Sequence, residues 1–213
     1  MQNCIDAINE HKIIVIVRGV DQEKLIPLVR AMYDGGIRLV ECTYDASGKI
    51  SDEEITANIE MLAKEFEGKM YIGAGTVVTA KQVELTKKAG GKFIISPDTD
   101  AEVILATKQA GLVSIPGAIT PTEVKMAHKA GADFIKLFPV DLYGPKYIKI
   151  IKAPLSNVRL LAVNGITAEN MREYLDAGAC GVGVGSGIVN KECIGKNDFE
   201  SITELAKAYV KQI

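Results

Sequence analysis

The chain has 213 residues, 47% hydrophobic and 24% charged, with a formal net charge of -2 and no tryptophan. That length suits one domain with a sizeable core, read here as a single unit over residues 1–213. The near-balanced charge and sparse aromatic residues exclude a basic, base-stacking surface for nucleic acid and give no reason to expect an acidic membrane as partner.

In chain order, a short opening helix over about Gln2–Glu10 precedes an apolar run, Ile13–Arg18, and a helical stretch, Gln22–Tyr33. Asp34-Gly35-Gly36 leads into Ile37–Thr43, which is followed by Asp52–Phe66, Tyr71–Gly75 and Ala80–Ala89. Ala89-Gly90-Gly91 leads into Phe93–Ser96, Ala110-Gly111 into Leu112–Pro116, and Ala130-Gly131-Ala132 into Phe134–Phe138. The helical stretch Thr120–Ala130 lies between the last two runs. Arg159–Val163, Thr167–Ala177, Gly181–Val184 and a last helix over about Asp198–Val210 complete the series. Glycine just past a helix end takes the left-handed conformation that other residues resist. Thr79, Thr120 with Glu123, and Thr167 with Asn170 carry the chemistry of helix starts.

Eight nearly all-apolar runs alternating with helices imply a buried parallel sheet. The compactness of the units predicts an α/β fold, a (β/α)8 TIM barrel with a short N-terminal helix. An open doubly wound sheet is the alternative. In a barrel, working residues lie at the C-terminal strand ends and the loops beyond them.

Lys136 interrupts the apolar run Phe134–Phe138 and shares a strand face with Phe134 and Phe138. Burial favours the neutral amine, and a neutral amine is a nucleophile towards carbonyl carbon. The structural alternative is a lysine that snorkels or pairs with a carboxylate. Glu41 interrupts Leu39–Thr43 in the same way, on one face with Leu39 and Thr43. A carboxylate beside an imine-forming lysine suits proton transfer, and a plain Lys–Glu ion pair is the alternative. Arg18 closes the first run on the face of Ile14 and Ile16 and suits a carboxylate or phosphate, although arginines also end strands in solvent. Thr76 follows Gly73-Ala74-Gly75, where the glycines allow close approach to the backbone or simply make a turn.

Asn164-Gly165 and Gly185-Ser186-Gly187 end the last two runs, where barrels of this kind commonly bind phosphate on backbone N–H groups. The same glycines would also let a barrel close tightly. His11 and His128 fall before the first strand and inside a helix, without ligand spacing, so no metal is expected. Cys4, Cys42, Cys180 and Cys193 form no CxxC pair and read as free thiols. No apolar run approaches the length of a membrane span, and the first residues lack the pattern of a signal peptide. A cytoplasmic location is expected.

Glu41-Cys42-Thr43, Gly73-Ala74-Gly75-Thr76, Ile94-Ile95-Ser96-Pro97, Ile115-Pro116-Gly117 and Lys136-Leu137-Phe138-Pro139, in this order, resemble the KDPG/KHG aldolases. These are the bacterial 2-dehydro-3-deoxy-phosphogluconate and 4-hydroxy-2-oxoglutarate aldolases. The resemblance runs over nearly the whole chain. It implies a metal-independent, class I aldolase on a (β/α)8 barrel, usually a homotrimer, acting on a small 2-keto acid with no cofactor. It implies Lys136 as the Schiff-base lysine, Glu41 as general acid/base and Thr76 as a holder of the pyruvoyl carboxylate. Pro97 and Phe138 would shape the pocket, and Gly165 and Ser186 would take a phosphate. Two positions depart from the pattern. Asp45 stands where the family often has an arginine for the substrate carboxylate, a task Arg18 is then expected to assume. Asn164-Gly165 replaces the usual Gly-Gly, and asparagine tolerates positive φ better than most residues.

Overall fold

The computed structural model describes all residues, Met1–Ile213. The chain runs α1 (Gln2–His11), β1 (Ile13–Val17), α2 (Gln22–Asp34), β2 (Leu39–Thr43), α3 (Asp52–Glu65), β3 (Tyr71–Gly75) and α4 (Ala80–Lys88). It continues β4 (Phe93–Ile95), α5 (Ala101–Gln109), β5 (Val113–Ile115), β6 (Gly117–Ala118), α6 (Pro121–Ala130) and β7 (Ile135–Leu137). The last elements are α7 (Pro145–Lys152), β8 (Leu160–Val163), α8 (Met171–Asp176), β9 (Gly181–Val184), α9 (Lys191–Gly195) and α10 (Phe199–Val210). Every strand pair is parallel, in the order β5-β4-β3-β2-β1-β9-β8-β7-β6.

The two ends of that order, β5 and β6, are one strand interrupted by Pro116 alone. Before the proline, the strand pairs with β4; after it, with β7. Pro116 has no N–H to give, but its carbonyl accepts from the Lys136 N–H at 2.9 Å. The sheet thereby comes round on itself as the expected barrel, with one of eight strands written in two pieces.

Helix starts follow the side chains present. Thr120 and Glu123 form a reciprocal capping box ahead of α6, with Pro121 in the first turn. Ser51 accepts from the Glu54 N–H and Thr79 from the Gln82 N–H. Gly36, Gly90, Gly111, Gly131 and Gly178 all adopt positive φ beyond helix ends, as their positions predict. One start differs. Thr167 and Asn170 exchange two bonds, at 2.9 and 3.3 Å, but these close a turn, and the helix begins only at Met171. The reciprocal bonds satisfy local donors without continuing into a helical turn. The short α9 lies outside the predicted series, and several strands are one or two residues shorter than their apolar runs.

Alternation sorts the strand residues into two cores. Outward residues such as Val15, Val40, Ile72 and Val182 pack beneath the helices in a 50-residue cluster. Inward residues of the lower barrel, Ile14, Leu39, Phe93, Val113, Phe134 and Leu161, form a second cluster with Cys4, Ile5 and Ile8 of α1. The opening helix therefore plugs the N-terminal end, leaving the opposite end for loops. No helix is long and apolar enough to cross a membrane.

Candidate active site

Above the apolar plug, the inward positions change character. Glu41 and Lys136 line one small cavity inside the barrel, with Ile14, Ile16, Ile95, Ile115, Leu161, Val163 and Gly183. Its volume, about 10 Å³, approaches that of a single water site. Glu41 is 2% exposed and Lys136 8%. Neither takes part in an ion pair. Glu41 Oε2 also has no hydrogen-bond partner. A structural Lys–Glu bridge is thus not what these two residues make.

The surroundings move both groups towards neutrality. Burial pushes the Glu41 carboxyl up to about 7, against the pull of the Lys136 and Arg18 charges. Burial likewise lowers the Lys136 amine, opposed by Glu41 and assisted by Arg18. Lys136 Nζ sits 4.6 Å from the centroid of the Phe138 ring, a contact that favours the ammonium and so works against the lowering by burial. The peptide between Phe138 and Pro139 is cis.

Room for the carboxylate comes from β3. A Cβ on Gly75 would collide with the Glu41 carboxyl, whereas one on Gly73 would enter the Phe93 ring. These two glycines are therefore required by close approach, not merely by a turn. Thr76, immediately beyond, holds φ 54°, an uncommon value for a β-branched residue. Its hydroxyl accepts from Arg18 Nη2 at 3.0 Å. The guanidinium of the first strand end is thus tied to the third strand end. Pro97 lies at the end of β4, half-buried, with its carbonyl filling the space where a Gly117 Cβ would be.

Asp45 turns away from the mouth into its own loop. It accepts from the Ser47, Lys49 and Ile50 N–H groups at 2.9, 2.9 and 3.0 Å and from the Ser47 hydroxyl. Those bonds, chiefly from Ser47, hold its carboxyl down at about 2. It is a loop staple.

The two glycine loops end neighbouring strands, β8 and β9. Asn164 and Gly165 both take positive φ, 85° and 69°. Asn164 Nδ2 donates to Asp141 Oδ1 at 2.7 Å, which steadies the substituted loop. The N–H groups of Gly165, Gly185 and Ser186 donate to no acceptor within the protein. Tyr209 of α10 reaches between these loops: its hydroxyl donates to the Ile166 carbonyl at 3.1 Å and occupies the space a Gly187 Cβ would need. In the sequence, only an aromatic residue in an amphipathic last helix signals it. Asp141, two residues past the cis-proline, escapes sequence reasoning for a similar reason, since a lone loop carboxylate carries no pattern.

The family model for KDPG and KHG aldolase matches residues 4–205. The chain belongs to that family. It is 33% identical over 200 residues to the 2-dehydro-3-deoxy-6-phosphogalactonate aldolase of Escherichia coli, covering 93% of each chain. It is 30% identical over 211 residues to the 2-dehydro-3-deoxy-phosphogluconate aldolase of Treponema pallidum, covering 97% of this chain and 96% of the other. Among solved structures it resembles the KDPG aldolase of Legionella pneumophila, with TM-score 0.86, 29% identity and coverage of 96% and 97%. That enzyme was captured with pyruvate as a covalent carbinolamine intermediate. Relatives with different sugar-acid substrates match over nearly equal lengths, so family membership alone leaves the substrate open.

Proposed function

We propose that this family member is a class I aldolase that reversibly cleaves a 2-keto-4-hydroxy acid to pyruvate and an aldehyde through a Schiff base on Lys136. The observation that carries this reading is the buried, unbridged pair of Glu41 and Lys136 in one cavity, each pushed towards its neutral form. A structural ion pair would do the opposite.

The neutral Lys136 amine attacks C2 of the keto acid, giving a carbinolamine. Glu41, protonated near neutrality, gives a proton to the departing hydroxyl, and an iminium remains. The ionised Glu41 then takes the C4 hydroxyl proton. The C4–O electron pair becomes the aldehyde carbonyl, the C3–C4 bond breaks, and its electrons pass to the iminium as an enamine. Return of the proton from Glu41 to C3, followed by hydrolysis, releases pyruvate and the free amine. A carboxyl poised at about 7 can both give and accept a proton at working pH. The iminium withdraws the electrons, so the chemistry needs neither metal nor other cofactor, and turnover should survive a chelator.

Arg18, tethered through Thr76, stands where it can meet the substrate carboxylate while Asp45 is occupied in its own loop. Pro97 and Phe138 flank the reacting carbons. The free N–H groups of Gly165, Gly185 and Ser186, with Asn164 shaping the loop, suit the distal phosphate of a 2-keto-3-deoxy phosphosugar acid, which would give glyceraldehyde 3-phosphate. 4-Hydroxy-2-oxoglutarate, giving glyoxylate, is the unphosphorylated counterpart. The family resemblance further supports a homotrimer working in the cytoplasm.

Borohydride trapping with pyruvate tests the reading. A pyruvate-derived mass increase mapped to Lys136 is the expected result. Pyruvate binding without a reducible adduct would overturn it in favour of an isomerase-like or binding role.

A further inference from the structure

Glu41 Oε2 and Thr43 Oγ1 are the two buried side-chain polar atoms without a hydrogen-bond partner. Buried groups of this kind are rare in folded proteins and cost stability unless a partner arrives. The two residues share the inward face of β2, and Thr43 is 4% exposed. Thr43 stands opposite Gly75 in the strand register, and the Glu41 carboxyl lies over that same Gly75 backbone. The carboxyl has therefore risen along the strand from the level of its own Cα to the level of the Thr43 hydroxyl.

We propose that Thr43 is a positioning residue for Glu41, its hydroxyl donating to the ionised carboxylate and aiming Oε2 at the proton it transfers. This rests on the reading of Glu41 as the acid/base of an imine mechanism. Thr43 keeps its own proton throughout; the transferred proton moves only between the substrate and Glu41. In the resting structure the hydroxyl lies near enough to the carboxyl to draw it down against burial, but without the geometry of a full hydrogen bond. A donor that serves the charged form selectively has its effect when Glu41 ionises.

The test uses pyruvate alone as probe, following exchange of its methyl protons with deuterated solvent by NMR across pH, alongside borohydride trapping. For Thr43→Val, which keeps shape and loses the donor, the exchange rate should fall about 10- to 100-fold, the scale of a hydrogen bond to a charged group. The pyruvate KM should stay nearly constant, and the rising limb of the rate profile should move to higher pH. Trapping on Lys136 should persist, and the melting temperature should equal or exceed that of the parent, because an unpaired buried hydroxyl is removed. Thr43→Ser should recover most of the rate and the original pH midpoint. An unmoved midpoint in Thr43→Val, equal impairment of Thr43→Ser, or a loss of stability that tracks the loss of rate would overturn the proposal. Failure of the unsubstituted protein to trap or exchange pyruvate would instead overturn the imine reading, and this proposal with it.

Discussion

In the proposed mechanism, Glu41 is a single side chain that gives up stability for chemistry. Its folded-state pKa, about 7, lies above its ordinary 4.5. The folded protein thus holds this proton more tightly than the unfolded chain does. The resulting stabilisation is fully present below about pH 4.5 and is lost as pH rises through about 7. At pH 8 the buried carboxylate costs roughly 3 kcal/mol, because a tenfold change in proton affinity corresponds to about 1.4 kcal/mol. Glu41→Gln should therefore melt above the parent at pH 8, with the gap closing towards pH 5, and should slow turnover strongly. A gap independent of pH in thermal melts would contradict the raised pKa. Lys136 presents the mirror case, with burial opposing its charge. Lys136→Met should reduce cleavage and trapping to background while folding at least as stably, as circular dichroism would show. Substantial residual cleavage would sink the covalent mechanism.

At the scale of elements, β3 separates packing from function within three residues. A methyl at Gly73 meets the Phe93 ring in the lower core, where neighbours cannot yield. Gly73→Ala should cost about 1–3 kcal/mol by overpacking, measured by denaturant unfolding. The nearest atoms a methyl at Gly75 would meet are those of the Glu41 carboxyl, the far end of a flexible side chain, and not a ring of the core. Gly75→Ala should keep nearly all of the stability and lose most of the turnover, because the displaced carboxyl no longer faces Lys136. Equal effects of the two substitutions on stability would refute this division. The split strand around Pro116 makes a related point. A residue without an N–H sits where the ladder passes from one neighbour to the other, and its remaining carbonyl is used by Lys136. The lysine backbone is anchored by the same irregularity that closes the barrel.

For the whole molecule, α1 closes one end with apolar side chains and the strand-end loops surround the other. The candidate site occupies the open end, where Arg18, Glu41, Thr76 and Lys136 converge from four separate strands. Leu142, Tyr143 and Ile150, along and just before α7, are exposed, as is Met126 on α6. Scattered exposed apolar groups are ordinary on a protein surface, so the proposed homotrimer rests on the family resemblance. Native mass spectrometry should find three copies of the 22.9 kDa chain. A monomer at micromolar concentration would remove the homotrimer from the proposed function.

The order of elements, the barrel class and the two buried charges are legible in the sequence because each follows from local rules. Strand period groups Glu41 with Leu39 and Thr43, and Lys136 with Phe134 and Phe138, while glycine after each helix marks where the next strand begins. Phe134–Phe138 and Leu39–Thr43 are conspicuous because a charge in an apolar run is costly to bury without a partner. Other features depend on tertiary structure, since their causes lie far apart along the chain. Pro116 divides its strand because β4 and β7 make different demands on either side of it. Tyr209 meets the loops at Ile166 and Gly187 only when α10 returns to the barrel. Asp45 and Arg18 differ in placement: one finds its partners in its own loop and the other finds Thr76, 58 residues away. Charge, period and turn chemistry are properties of neighbours in sequence; whether Glu41 and Lys136 stand unbridged in one cavity depends on the barrel closing around them.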